Sequence, residues 1–477
     1  MKTIYNKTIQ AFCLLLLCLV ALPAAGQTPG IEYFMKSSTQ KQNFNPALRS
    51  RQGFVGFPLL GNTSMAYQTN TLNLDHLVFD TGRSNLVTFL HPDVSADQFL
   101  KNITDNNTLS ANVNENVLAF GKYIGTNGFM FIDVSGRVNV NASIPRSFFE
   151  FAKKGIAQNE ASFYDISDVK MGGMAFIDVG GGYSHSLLND KLVVGGKLKL
   201  LLGHLQADVR VNKMMVDAQL DRWTVGADIV VEGYAPFDIR VEKNDEGKFD
   251  GVDMDYAFGI AGFGVGLDLG ATFNLGGIGE DVSDILNRFT VSLAFTDIGF
   301  INWGKGNSTI LASSLDDMVV TGDYVIDLEN SSSLEDEIDA MTEQLKKITD
   351  LKEQAQQGKT TSLHTNMNIG VEYEVMPQLT VGFLSSTRFS GINTISEFTL
   401  GGSYRPCDWF EAGLSYSFVY NKFNTIGLAL HFAPKKGLNF FLSSDYFLPH
   451  VNSYFIPIKA KGMNAMLGVS IPLGRRI

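Results

Sequence analysis

The sequence predicts an all-β protein: a transmembrane antiparallel β-barrel of about 14 strands (roughly 12 to 18), with an N-terminal luminal segment and short helices in its outer loops. Three observations predict it. The chain opens with an export leader, its longest segments alternate oily and small-polar residues with a period of two, and nothing after the leader is apolar enough to cross a membrane as a helix.

The leader is residues 1–26. Lys2 and Lys7 supply positive charge, "AFCLLLLCLVAL" is the apolar core, and "AAG" before Gln27 offers small residues for cleavage. The apolar run is short for a membrane-spanning helix, which needs about 20 residues. Cys13 and Cys18 leave with it, so the mature chain keeps only Cys407, and neither an internal disulfide nor a cysteine-rich metal site is available. No Pro- or Ser-rich linker divides the remainder, so residues 51–477 are read as one barrel unit behind a short segment, 27–50.

The clearest strand is "AFGIAGFGVGLDLGATFNLGG". From Ala261 to Leu275 every odd residue is apolar, while the even set is Gly262, Gly264, Gly266, Asp268, Gly270, Thr272 and Asn274. The same alternation recurs over Phe410–Tyr420, over Ile426–Phe432 and over Val225–Val231. A soluble sandwich would turn the oily face inward to a core. Here the other face is glycine, serine and charge, which suits a wet barrel interior with the oily face toward lipid. In lipid an open sheet edge has no hydrogen-bond partners, so the sheet must close.

Working back from the C-terminal strand, the short turns "APKKG", "YRPCDW", "VMPQ", "LLNDKL" and "IGTNG" fall on one side, and residues 80–111, 143–173, 236–254 and 304–362 fall on the other. Trp223 and Trp303 are placed near opposite rims as girdle residues. The net charge is −11, and residues 316–353 alone hold twelve carboxylates against three lysines, which excludes the basic stripe that nucleic acid demands. Within this acidic insert, at about 304–362, Leu334, Ile338, Met341, Leu345 and Ile348 mark an amphipathic helix. "SADQFLKNI" and "RSFFEFAKKGIA" predict two more short helices over the mouth.

Catalytic, cofactor and metal motifs are missing. There is no G-x-S-x-G, H-E-x-x-H or phosphate loop, and the histidines are scattered; His185 lies between Ser184 and Ser186, but adjacent strand residues point to opposite faces. Alternation places Lys197 and Lys199 on the inner wall, with Arg210, Asp228, Asp268 and His431 as further lumen-facing candidates. A basic inner patch would attract an anionic solute, or it would pair with luminal Asp228, Asp268 or Glu232.

"NFNPAL", "SIPRSFFEFAKKG", "AFTDIGFINWGKG" and "GVSIPLGRR" resemble a Bacteroidetes family of outer-membrane barrels of unassigned function, which is distantly similar to FadL-type fatty-acid transporters and PorV-type barrels of type IX secretion. The resemblance implies a luminal hatch that carries an N-P-A motif, here Asn45, Pro46 and Ala47 with Asn43 as a helper. Pro46 keeps the segment from becoming a strand and side-chain amides can bind a polar wall, although a turn that merely delivers the chain to the first strand fits equally well. The function so implied is a passive channel or transporter in a Gram-negative outer membrane for a small solute, hydrophobic molecules included. The alternative is a scaffold that binds a secretion, adhesion or envelope partner through its outer loops. The expected surroundings are outer-membrane lipid and the export and barrel-assembly machinery, without nucleic acid.

Overall fold

The computed structural model describes residues 28–475 except 58–60, 81–85, 92, 155–160, 219–222, 238, 244–248, 255, 278–283, 321–350, 420–421, 435–436 and 447–461. The expected leader and the expected acidic helix lie outside the described residues.

Fourteen antiparallel strands close into one barrel. They are β1 (Gln52–Gly56, resumed at Asn62–Thr69), β2 (Asn106–Ile124), β3 (Gly128–Pro145), β4 (Val169–Leu187), β5 (Leu192–Ala218), β6 (Trp223–Tyr234, resumed at Gly262–Asn274) and β7 (Phe289–Trp303, resumed at Ser308–Val320). There follow β8 (Lys352–Glu353, Lys359–Ser362 and Thr365–Met376), β9 (Leu379–Phe389), β10 (Thr394–Cys407), β11 (Phe410–Val419), β12 (Lys422–Phe432), β13 (Asn439–Ser444) and β14 (Gly462–Arg475). β14 pairs back onto β1, Gln52 opposite Arg475 and Thr63 opposite Leu467, so the ladder has no free edge.

Alternation sets the two faces. On β5, Leu198 is 71 % exposed while its neighbours Lys197 and Lys199 are buried at 5 % and 7 %. Phe263, Leu400, Leu414 and Leu442 are likewise exposed, and Asp268, Thr399, Ser415 and Ser443 are buried. The exposed set forms an apolar belt around the barrel, which water would penalise and lipid accepts. Among the described residues no helix is long and apolar enough to cross a membrane.

The two ends differ. At one, the turn end, the connections are short, and Gly125 takes a φ of +60° in the β2–β3 turn, where a glycine costs no strain. At the other, the loop end, β5 runs 27 residues and forms a raised wall with its neighbours. β6 leaves the ladder after Tyr234, opposite Gln206, and returns at Gly262, opposite Gly203; the hairpin Ile239–Lys243 with Phe249–Met254 stands between. The stretch 236–254, expected as a loop between strands, is therefore an excursion from a single strand. Residues 308–320 and most of 352–362 belong to β7 and β8, so the insert is narrower than 304–362.

Above the belt the apolar face of this wall turns inward. Val216, Val225 and Ile229 pack with Tyr67 of β1 and with Phe99 and Phe149, which the helices Ala96–Leu100 and Arg146–Lys154 bring over the mouth. Trp303 differs from its expected girdle position. It is 3 % exposed and packs with Phe176, Leu201 and Tyr234, because it shares the inward face of β7 with Ile301 while Phe300 and Asn302 point outward.

Leu400→Arg tests the belt. It should destabilise the folded barrel in lipid by about 2–4 kcal/mol, read by denaturant titration in vesicles, and a neutral effect would mean that Leu400 does not face the bilayer.

Candidate functional site

Residues 28–50 make no strand, so their backbone groups need partners other than a sheet. Some are local: Glu32 N–H donates to Pro29 O, Phe34 N–H to Ile31 O and Asn43 N–H to Gln40 O, giving two short turns. The rest come from inward side chains of the wall. Gly30 and Ile31 donate their N–H groups to the Asp445 carboxylate at 2.7 and 3.2 Å. Lys36 and Ser37 donate theirs to the two oxygens of Glu411 at 2.7 and 2.8 Å, and the Ser37 hydroxyl joins them. Ser403 donates to the Phe34 carbonyl, and Asn368 donates to that of Phe44.

The side chains of the segment are buried as completely as a core. Ile31, Phe34 and Met35 are 0 % exposed and Tyr33 is 1 %. Each such burial is worth roughly 1.5–3 kcal/mol. Tyr33 shares a hydrogen bond with Ser292. Glu32 meets His431 at 2.9 Å, both fully enclosed. Burial alone would raise the Glu32 carboxyl, but the charge and hydrogen bond of His431 outweigh it and hold Glu32 below the usual carboxylate range.

Glycines on the inner wall make the seat. A Cβ at Gly401 would come within 2.6 Å of the Phe34 ring, and one at Gly413 within 2.6 Å of the Met35 sulfur. A Cβ at Gly370 would strike the Tyr33 hydroxyl. The glycine face of the period-two pattern is thus the surface on which residues 30–35 rest.

The Asn-Pro-Ala stretch lies beside Tyr33, against another arc of the wall. Asn45 Nδ2 donates to the carbonyls of Ala271 and Leu293, at 3.1 and 3.4 Å, and its Oδ1 accepts from Ala47 N–H at 2.8 Å. Pro46 passes so close to Gly195, and Asn45 to Gly270, that neither glycine could carry a Cβ. Asn43 donates to Gln40 Oε1, which also accepts from Asn62 on β1. Arg49 donates to Ser184, Ser186 and the Asn127 carbonyl. His185 points the other way, to Tyr183.

At mid-height lies a charged layer. Arg137 forks onto Asp297 at 2.7 and 2.8 Å, and Lys199 contacts Asp268 at 2.7 Å and Asp297 at 2.6 Å. Lys197 pairs with Asp133, and Asp178 lies 3.3 Å from Arg137. Of the lumen candidates, Lys197, Lys199 and Asp268 meet here and His431 meets the N-terminal segment. Arg210 and Asp228 do not join them. Both are exposed on the raised wall, where Arg210 pairs with Glu232 and Asn212 donates to Asp228. Glu411, Asp445, Arg137 and Asp297 escaped the sequence reading; for Glu411 the signal was an acid on the small-residue face of "FEAGLSYSF". Among the described residues no group of three or more His, Cys, Asp or Glu is placed to hold a metal.

The seat can be tested by filling it. Gly401→Leu should push Phe34 out, so that trypsin cuts at Lys36 or Lys41 while the barrel stays folded by heat-modifiable gel migration. Protection equal to that of the parent would show that the glycine is not needed for seating.

Among solved structures, the chain is similar to the toluene transporter TbuX of Ralstonia pickettii, with 10% identity, 95% of this chain and 98% of that one covered, and a TM-score of 0.42. It is also similar to the toluene transporter TodX of Pseudomonas putida (8% identity, 95% and 97% covered, TM-score 0.38) and to the translocator domain of the autotransporter NalP of Neisseria meningitidis (6%, 89% and 89%, 0.30). No curated protein matches it. A family model described as a family of unknown function, DUF5723, matches residues 46–445, and the chain belongs to that family.

Proposed function

We propose that this protein is a passive outer-membrane channel or transporter for a small solute, and that residues 28–50 are the hatch that closes its luminal route. The observation that carries this reading is the fit between wall and segment. Inward glycines leave room where Phe34, Met35 and Tyr33 lie, and inward carboxylates stand where the backbone of the segment needs acceptors. A chain that only led to the first strand would need neither. Closure is by noncovalent contact, so the segment can leave without a bond being broken. A hydrophobic solute would enter through the apolar cluster at the loop end and would then have to pass the charged layer beneath it.

A second reading, a non-transporting scaffold, has its own support. The same apolar cluster fills the mouth and holds the helices Ala96–Leu100 and Arg146–Lys154 against the wall, ready to meet a partner.

Deletion of residues 27–50 separates the two. In proteoliposomes the truncated barrel should pass small solutes at least tenfold faster than the intact protein. A truncated barrel that is folded yet as tight as the parent would overturn the transport reading and favour the scaffold.

A further inference from the structure

Between the seated segment and the apolar cluster the lumen keeps a chamber of about 100 Å³, floored by Thr28, Asn43 and Phe44. It has room for several waters. Four carboxylates (Asp133, Asp178, Asp268 and Asp297) and four cations (Arg137, Lys197, Lys199 and Arg388) line it, so its walls carry no net charge. Three of those cations are already joined to the four carboxylates.

The remaining recognition chemistry is amide and hydroxyl. Asn112, Asn114, Asn139, Asn366, Asn368 and Ser135 face the same space. Several of their polar atoms are unsatisfied: Asn114 Oδ1 and Asn368 Oδ1 have no hydrogen-bond partner, nor does Asp178 Oδ1, and Asn368 and Asp178 are only 4 % and 2 % exposed. All three atoms are acceptors, and the other unpartnered atom of the lining, His364 Nδ1, donates or accepts according to its tautomer, so an occupant that brings donors suits the whole set. An ammonium group would bring donors together with a charge that the balanced wall does not call for. An apolar molecule would strand the acceptors, at about 1–3 kcal/mol for each. Hydroxyl groups donate without charge, and the Phe44 ring offers an apolar surface for the carbons between them.

We propose that this chamber is a binding site for a small neutral polyhydroxylated solute, of the size of a three- or four-carbon polyol. As a binding site it stands alone; as a selectivity filter it rests on the transport reading above.

Saturation-transfer NMR on the intact mature protein in detergent tests it, with erythritol, 1-butanol and tetramethylammonium as probes. Each is compared between the parent and Asn114→Leu, a change of similar volume that removes an acceptor, so that signal from the micelle cancels. Transfer to erythritol should fall severalfold in the variant, with the other two unchanged. Equal erythritol transfer in both proteins, none in either, or a fall confined to 1-butanol or tetramethylammonium would overturn the proposal. If Asn114→Leu does not fold, Asn139→Leu, which removes another amide of the lining and leaves the segment's contacts in place, supplies the comparison. Erythritol bound without flux through the truncated barrel would sink the transport reading alone, and flux without bound erythritol would sink this inference alone.

Discussion

A backbone that lies inside a barrel without joining its sheet must find a hydrogen-bond partner for each buried N–H, and here acidic side chains of the wall supply them. Asp445 takes the N–H groups of Gly30 and Ile31, and Glu411 takes those of Lys36 and Ser37. Such charge-assisted bonds are about twice as strong as neutral ones, which suits acceptors that would otherwise be buried charges. The glycine seat and the ion pair between Glu32 and His431 require the segment to be held at this height, as does the proposed closure of the lumen. Without these two carboxylates its apolar side chains would still prefer the interior, but the four backbone N–H groups of residues 30–31 and 36–37 would lose the acceptors that set their register.

The interior is therefore built in three storeys. Near the turn end the segment fills the lumen with apolar side chains on glycine. At mid-height the charges of Arg137, Lys197 and Lys199 are spent on Asp133, Asp178, Asp268 and Asp297. Breaking one partner of a buried set like this typically costs about 3–5 kcal/mol, so the layer also ties β3, β4, β5, β6 and β7 together across the barrel. At the loop end a third, apolar storey is made by loops and helices rather than by strands.

Much of the wall was legible, because one face in lipid and one in water leave a period of two. Lys197, Lys199 and Asp268 follow directly from that alternation, and the strand total from counting turns back from the C-terminus. The reading failed on the raised wall, where the pattern also slips. The β4–β5 register shifts between Ala175 and Phe176, and β6 slips against β7 between Val225 and Ala227 and against β5 between Asp228 and Ile229. At this height the covered face of the wall is the apolar one (Val225, Ala227 and Ile229), so Asp228, expected in the lumen from its alternation, is exposed, and Arg210, expected to join Lys197 and Lys199 from the next strand, pairs with Glu232 on the raised wall instead. Asp297 hides for a local reason: it sits at a bulge opposite the Leu267–Leu269 step with a φ of +59°, which aims its carboxylate at Arg137 and Lys199. The asparagines and proline at 43–47 were visible as a polar stretch unfit for a strand. Their partners were not, since Ala271, Leu293 and Asn368 lie far apart in sequence and meet only once the barrel has closed.

The most direct measurement is to tether the segment in its seat. A Cβ built on Gly30 lies 3.7 Å from the Thr399 Cβ, within the range of a disulfide. In a protein carrying Gly30→Cys, Thr399→Cys and Cys407→Ser, a mobile hatch predicts solute flux that is abolished on oxidation and restored by reductant. Flux that ignores the state of the disulfide, once its formation has been verified by mass, would contradict a luminal gate made of residues 28–50.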